Sequence, residues 1–219
     1  KLNTHLGRQA VTAIQIQTAP ARHKAASSSA ALKASLQAML QWDWHGARIV
    51  IEHCDAYVPE HTPSKGFLAL SDELTVLTEI NRSVPAQQQL GVVINWGRSV
   101  FETRRVAGAL EHIQQAKAAG LLSGLMFSGV SDKDSDFGAW RDSHQPPQQS
   151  AAVPYGEPGS WMSEQAMQQA VGDQALDHRD DLRDVLGGFR LDVGREVAID
   201  AQRGHVLAVG GGVLVGDRG

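Results

Sequence analysis

Several things that the sequence lacks restrict what the protein can be. It has one cysteine, Cys54, among its 219 residues, so no disulfide can form within the chain, as is usual in a reducing compartment. It has no run of about 18 apolar residues, the length that a membrane-spanning helix requires. Its net charge is −4 with both signs interspersed, whereas nucleic-acid binding needs a basic patch. We therefore expect a cytoplasmic protein whose partners include neither nucleic acid nor a membrane.

The residues that are present describe an ordinary globular protein. Apolar residues make up 42% of the sequence and charged residues 20%, which argues against general disorder. The length is sufficient for one domain with a substantial core, or for two small ones. The chain begins at Lys1 rather than at Met, and almost directly on a predicted strand. From this start we expect a fragment of a longer protein.

Four segments share one design, in which a β-rich run precedes an amphipathic stretch. The predicted strands are Val11–Thr18, Arg48–His53, Leu90–Asn95 and Leu121–Ser128, and their starts are 37, 42 and 31 residues apart. This recurrence is typical of successive βαβ units, which build a parallel sheet. Right-handed crossovers would place the C-terminal ends of all four strands on one face, where barrels and doubly wound sheets hold their sites.

Helices are predicted between and after these strands. They cover residues near Ser29–Gln41, a segment from about Ser71, and a segment that opens with the capping-box spacing Ser99-Val100-Phe101-Glu102 and ends at Gly120. A further helix is predicted at Ser160–Val171.

The last 41 residues, 179–219, differ from the rest because they contain no Lys, Ser or Thr. We predict one domain over residues 1–178 and an atypical segment over residues 179–219. One interpretation of that segment is a β-meander of Glu196–Ala201, His205–Val209 and Val213–Val215; the other is a non-native tail produced by a shifted reading frame. Its Gly triplet has neither the GxGxxG nor the GxxxxGK[ST] arrangement, so it does not predict a phosphate loop.

Polar residues at the strand ends are the candidates for chemistry. Glu52 ends a buried strand, where a carboxylate is costly unless it is paired, protonated or bound to a metal. Strand alternation sends Glu52 and His53 to opposite faces, so a Glu52 inside a barrel places His53 toward the helices. Asn95 and Arg98 follow the next strand, and Arg98 can bind a carboxylate or phosphate in a bidentate manner. The structural alternatives are an internal salt bridge between Glu52 and Arg98, and a surface position for Arg98.

Four further side chains are predicted from the loops. Asp142 and His144 are two residues apart, close enough to share a metal or to form an acid–base pair, although such a pair can also be merely solvated. Lys65 can meet an anionic substrate or be an ordinary turn lysine. Trp96 can stack on a sugar face, while ordinary packing is the alternative.

Short strings of residues between Ala13 and Pro158 are specific enough for comparison with a known family. They are Thr18-Ala19-Pro20, Trp42-Asp43-Trp44, Ile51-Glu52-His53-Cys54-Asp55-Ala56, Lys65-Gly66-Phe67-Leu68, Val93-Ile94-Asn95-Trp96-Gly97-Arg98-Ser99, Leu125-Met126-Phe127-Ser128-Gly129 and Asp142-Ser143-His144. With them the chain resembles an uncharacterised microbial family of xylose-isomerase-like TIM-barrel proteins, whose activity is not established.

The resemblance implies a (β/α)8 TIM barrel, of which this chain holds about four units. It also implies a divalent metal (Mn, Mg or Zn) held by Glu, Asp, His and Glu from successive strands. Glu52 is similar to the first of these ligands. Asn95 and Arg98 occupy the positions where such enzymes usually have Asp and His, and Phe127-Ser128 occupies the position of their next His. The metal set implied here is Glu52 with Asp142 and His144 as substitutes.

The leading functional prediction is a sugar or sugar-acid isomerase or epimerase, which removes a proton next to a carbonyl. Glu52, Asp142 and His144 are its predicted catalytic residues, and Asn95, Arg98, Lys65 and Trp96 its predicted substrate-binding residues. The partner is then a small molecule, a carbohydrate, and a homo-oligomer is an option because half a barrel exposes its edges. The alternatives are a non-catalytic carbohydrate-binding barrel, an inactive fragment, and a metal-dependent hydrolase.

Overall fold

The computed structural model describes residues 2–24, 27–151, 153–175, 206–209 and 212–213. Its strands are β1 (Ala13–Gln17), β2 (Arg48–His53), β3 (Gly91–Asn95), β4 (Leu122–Phe127), β5 (Val206–Val209) and β6 (Gly212–Val213). Its helices are α1 (Leu2–Leu6), α2 (Ser29–Met39), α3 (Leu70–Asn81), α4 (Trp96–Thr103), α5 (Val106–Ala118) and α6 (Glu164–Ala175), with a short 3-10 helix at Ala86–Gln88.

The sheet is of the α/β type that the strand spacing predicts. Its strand order is β1-β2-β3-β4-β5-β6, and β1 to β4 form an all-parallel sheet of βαβ units. In the β1–β2 register, Ala13 is opposite Arg48 and Gln17 is opposite Glu52. β5 runs antiparallel to β4, and β6 antiparallel to β5. The parallel part is consistent with a partial barrel.

The two central strands, β2 and β3, are apolar through their middle residues because both of their faces are covered. Every residue of β3 is buried, and in β2 only Arg48 is exposed. Ile51 and Val92 are fully buried, as are Leu77 and Ile80 of α3. Each such side chain contributes about 1.5–3 kcal/mol by leaving water, so this core holds the strand ends in fixed positions.

The helix that follows β3 differs from the prediction. α4 begins at Trp96, directly after β3, and its N-cap is Asn95, whose Oδ1 accepts the backbone N–H of Arg98 at 3.2 Å. The capping-box prediction at Ser99 is therefore wrong: Ser99 lies buried inside α4. The predicted single helix is also divided, because α4 ends at Thr103 and α5 starts at Val106.

Other helix ends follow the expected chemistry. The Ser28 hydroxyl caps α2 by accepting the Ala31 N–H at 3.1 Å. Gly120, with a φ of +68°, lies at the turn after α5 and donates its N–H to the Lys117 carbonyl. α6 begins at Glu164 rather than at the predicted Ser160, because the Ser163 hydroxyl accepts the Ala166 N–H at 3.1 Å.

The chain divides into two compact units. Unit one is Lys1–Ile94 with Gln115–Ser123, and unit two is Asn95–Gln114 with Gly124–Gly219. The predicted domain boundary at residue 178 and the predicted strand Glu196–Ala201 lie outside the described residues. In the described parts of the chain, no helix has both the length and the apolar character that crossing a membrane requires.

Candidate functional site

In unit one, Glu52 lies on a polar patch of the β1–β2 surface. Its Oε2 accepts hydrogen bonds from the side-chain amides of Gln15 at 2.8 Å and Gln17 at 3.1 Å. Gln17 is the register partner of Glu52, and Gln15 is two residues before it, so all three share one face of the sheet. Glu52 is 5% exposed, and neutral amide donors compensate part of the cost of burying its carboxylate.

His53 lies on the opposite face, toward α3, as the strand alternation predicts. Its Nδ1 is 2.8 Å from Oε2 of Glu73 in the first turn of α3, and the Thr18 hydroxyl donates to Oε1 of the same carboxylate at 2.6 Å. None of the three is more than 3% exposed, and the neighbouring Cys54 is fully buried. This network joins the ends of β1 and β2 to α3, and the sequence analysis did not identify Glu73 as its centre.

Asp55 organises the loop that carries Lys65. The buried Oδ2 of Asp55 accepts three consecutive backbone N–H groups, those of Ser64 at 2.8 Å, Lys65 at 2.8 Å and Gly66 at 3.3 Å. Gly66 has a φ of +63°, which favours glycine. Lys65 is half-buried, and its backbone position is fixed by Asp55.

In unit two, the end of β3 and the start of α4 form a tight polar corner with the end of β4. Asn95 Oδ1, besides capping α4, accepts the Ser128 hydroxyl at 3.0 Å. Gly97 allows this approach, since a Cβ at that position would overlap the backbone carbonyl of Ser128. Asn95 and Ser128 are both buried, so their mutual hydrogen bond satisfies polar groups that water does not reach.

Arg98, Asp142 and His144 form a connected row in unit two. The Arg98 Nη2 donates to Asp142 Oδ2, and the other oxygen of Asp142 is 3.3 Å from Nε2 of His144. Exposure increases along the row: the side chains of Arg98, Asp142 and His144 are 5%, 21% and 36% exposed. The carboxylate thus lies between a buried guanidinium and an imidazole that solvent reaches.

A small cleft opens beside this row. The residues that line it are Gly97, Arg98, Phe101, Ser128, Gly129, Val130, Arg141, Asp142 and His144. Its free volume is about 10 Å³, close to the minimum that one water molecule needs. A sugar therefore enters only if side chains at its mouth move.

The structure brings Asn95, Arg98, Asp142 and His144 together in unit two, while Glu52 and Lys65 belong to unit one. Trp96 is 1% exposed, so the predicted stacking of a sugar on its ring does not fit, and the packing alternative does. Sequence reasoning missed Arg104, whose guanidinium stacks on Trp140. No periodic pattern connects residues so far apart in the chain, so the sequence carried no signal for that contact.

The side chains implied as metal ligands already have other partners. A divalent ion on Asp142 would replace the Arg98 guanidinium or lie beside its positive charge, and the Asn95 oxygen already accepts two hydrogen bonds. The described contacts at Asp142 and Asn95 therefore do not fit a divalent metal.

Elsewhere, a group of His and Glu side chains that includes Glu102 and His112 could hold a metal ion. His112 Nε2 is 3.7 Å from Glu102 Oε1, and its Nδ1 is 3.0 Å from the Ser99 hydroxyl. A hydrogen bond to the second ring nitrogen is the arrangement that orients metal-binding histidines. No predicted ligand belongs to this group.

Comparison with known proteins identifies relatives without an established activity. The chain is 38% identical over 138 residues to an uncharacterised protein of Salmonella typhimurium, a match that covers 62% of this chain and 41% of the relative. The chain thus matches about two fifths of the length of that curated relative. No solved structure matches. A domain of unknown function, DUF4862, matches residues 1–186, and the chain therefore belongs to the DUF4862 family.

Proposed function

We propose that the protein binds a small carbohydrate or sugar acid and, in its full-length form, acts as an isomerase or epimerase that moves a proton next to a carbonyl. The parallel βαβ units and the resemblance to xylose-isomerase-like barrels support the substrate class. The row Arg98–Asp142–His144 supports the reaction type.

One observation carries the proposal: the burial gradient along that row. Arg98 is 5% exposed and paired with Asp142, so it holds the carboxylate in place, and Asp142 in turn orients the imidazole of His144, which is 36% exposed. A general base must be reachable by its substrate and fixed by a second group. His144 is the most exposed side chain of the row, and its Nε2 contacts the second group, Asp142. Its Nδ1 is buried, so a substrate proton reaches that nitrogen only when side chains at the cleft move.

The remaining predicted residues have supporting roles. Arg98 and Ser128 line the cleft of unit two, and the positive charge of Arg98 favours a substrate with an acidic group. Asn95 supports the cleft by capping α4. Lys65 is the candidate cation of unit one for an anionic substrate. Glu52 stays a candidate base or metal ligand of unit one.

Hydrogen exchange from solvent tests the proposal without knowledge of the product. The full-length protein is incubated in D2O with a panel of ketoses, aldoses and uronates, with and without Mn2+, Mg2+ or Zn2+, and loss of the proton next to the carbonyl is followed by NMR. We expect exchange with at least one sugar, and a decrease of about 100-fold or more in His144→Gln, as for removal of a general base.

The matched control is His45→Gln, which removes the exposed histidine of an Asp-x-His turn on the surface of unit one. This variant should keep the full exchange rate. If His144→Gln exchanges as fast as the unaltered protein, or if no sugar of the panel exchanges, the proposed reaction is wrong.

A second candidate is a carbohydrate-binding protein without catalysis. The observation in its favour is the Asn95–Ser128 hydrogen bond of 3.0 Å, at positions where the resemblance implies metal ligands. Isothermal titration with the same sugars distinguishes the two: binding without deuterium uptake supports the second candidate.

The barrel and the location are part of the proposal. We propose that the rest of the full-length protein, or a second copy of the chain, completes a cytoplasmic (β/α)8 barrel around these strands. Sedimentation of the full-length protein at several concentrations separates a complete monomer from a homo-oligomer.

A further inference from the structure

Three aromatic rings of unit two, Phe101, Trp140 and Trp161, form what we call the aromatic cluster. The centroids of Trp140 and Trp161 are 5.0 Å apart in an edge-to-face arrangement, and those of Phe101 and Trp140 are 6.4 Å apart. The Arg104 guanidinium carbon lies 4.0 Å from the Trp140 centroid and 4.4 Å from that of Phe101. A cation at this distance from the face of an aromatic ring is attracted by the π electrons of the ring.

The backbone of Arg104 indicates that this side chain is required. Arg104 is the C-cap of α4 and has a left-handed conformation, with φ 55° and ψ 26°. Glycine is the usual residue there because it has no Cβ to strain. An arginine at such a position is strained, and its stack on two rings is what it gains in return. Trp140 and His144 also have positive φ values, 48° and 50°, and such strain persists only where the surroundings enforce it.

The aromatic cluster includes Trp140, which begins the segment that carries the candidate proton-transfer residues Asp142 and His144. The backbone N–H of Trp140 donates to the Ser131 carbonyl at 2.8 Å, and the indole N–H of Trp161 donates to Asp132 Oδ1 at 3.1 Å. The first hydrogen bond holds the backbone of Trp140, and the second holds the indole of Trp161 that packs against the Trp140 ring. Asp142 is two residues further on, within about 7 Å of chain, so a fixed Trp140 restricts where Asp142 and His144 can lie.

We propose that Arg104 is a positioning residue: its guanidinium holds Trp140, and thereby sets Asp142 and His144 in contact with Arg98. This inference rests on the proposed function, because it assigns Arg104 a role in placing the proton-transfer pair. Arg104 itself does not line the cleft, so it acts through Trp140 and not on a substrate.

The decisive variant is Arg104→Gly, compared with Arg104→Lys and with Arg105→Gln. Glycine relieves the left-handed strain, so we expect the variant to fold even though the stack is lost. Lysine keeps the cation, and Arg105 is an exposed neighbour whose partner is Glu111. The readouts are the thermal midpoint, the near-UV circular dichroism of the coupled tryptophans, and the ring 1H–15N resonances of His144, assigned with His144→Gln.

For Arg104→Gly we expect a midpoint within about 3 °C of the parent, loss of half or more of the tryptophan dichroism, and shifted or broadened His144 resonances. Exchange activity, where a substrate is found, should fall at least 10-fold through kcat. Arg104→Lys should restore the His144 resonances at least in part, and Arg105→Gln should change neither the tryptophan dichroism nor the His144 resonances.

Unchanged dichroism and His144 resonances in Arg104→Gly would overturn the inference, as would a large loss of thermal stability without any change at His144. The NMR readout needs no substrate. Absence of exchange in the parent protein thus rejects the proposed function alone, while an unmoved His144 rejects the role of Arg104 alone.

Discussion

The chain contains two turns with the same Asp-x-His spacing, Asp43-Trp44-His45 and Asp142-Ser143-His144. In both turns the histidine has a positive φ, 52° for His45 and 50° for His144, and a ring nitrogen lies near the aspartate, at 3.0 Å and 3.3 Å. Their surroundings differ. Asp43 and His45 are 76% and 75% exposed, whereas Asp142 is 21% exposed.

This difference shows why spacing alone does not define a site. Asp43 lies in solvent, which screens its charge, while Asp142 contacts the buried Arg98. Only in the second turn does a fixed charge restrict the carboxylate and therefore the imidazole. We call the two segments the outer turn (residues 43–45) and the inner turn (residues 142–144). The following predictions test how far they differ.

The largest effect is expected from Arg98→Met. Removal of one partner from a buried ion pair leaves an uncompensated charge, which costs about 3 kcal/mol when the other partner keeps some exposure. For a chain of this length that corresponds to roughly 6–12 °C in Tm. Asp43→Asn in the outer turn should change the stability by no more than about 0.5 kcal/mol. Urea denaturation and calorimetry measure both.

Arg98→Met combined with Asp142→Leu supplies the control for that result. Replacing both partners removes the orphaned charge, so part of the lost stability should return. If Arg98→Met is as stable as the parent, the inner turn is as solvated as the outer one and the comparison fails.

The support beneath the inner turn gives a second, smaller effect. Asn95→Ala removes the cap of α4 and the acceptor of the Ser128 hydroxyl, so we expect a loss of about 1–2 kcal/mol. Asn95→Ser retains a capping oxygen and should lose less. Ser28→Ala, at the more exposed cap of α2, should cost about 0.5–1 kcal/mol. Equal losses at both caps, measured by urea denaturation, would contradict the special position of Asn95.

Glycine substitutions compare the two turns directly. His45→Gly relieves a left-handed backbone and loses only an exposed pair, so we expect a gain of about 0.5 kcal/mol. His144→Gly relieves the same strain but loses a contact with a partly buried carboxylate, so it should gain nothing. The two stability changes are measured as shifts of the urea unfolding midpoint at an unchanged m-value. A larger gain for His144→Gly than for His45→Gly would contradict the stabilising contact of His144 with Asp142.

The smallest effect concerns a surface pair, Arg105 with Glu111. The hydrogen bond from Arg105 lowers the pKa of Glu111 below its ordinary value of 4.5. A lowered carboxyl pKa stabilises the fold above the ordinary pKa, and that contribution disappears as the pH falls through the lowered value. The Tm of Arg105→Gln should therefore lie slightly below that of the parent at neutral pH and converge with it in acid. Added salt should reduce the difference, and a difference that grows in acid would contradict the sign.

Much of the α/β framework was predictable from the sequence because local patterns determine it. β2 was predicted with its observed bounds, and the other three parallel strands within two residues at each end, since apolar runs between turn residues are a strong signal. The turn at Gly120 followed from local chemistry as well. The start of α4 did not, because the amide of Asn95 caps the helix without any intervening loop.

The site was predictable in its residue types more than in its contacts. The burial that separates the inner turn from the outer one depends on Arg98, which is 44 residues from Asp142 in the chain. The stack of Arg104 on Trp140 likewise depends on tertiary structure. The isomerase function, the metal and the eight-stranded barrel stay predictions, because neither the fold nor the relatives test them.

The position of Cys54 has a practical consequence. This thiol is the sole cysteine of the chain and has no solvent-exposed surface in the folded state. A thiol reagent reaches it only when the end of β2 separates from its neighbours. The rate at which Cys54 reacts with an aromatic disulfide that releases a coloured thiolate therefore measures how often the end of β2 opens in the native protein. No engineered label is needed.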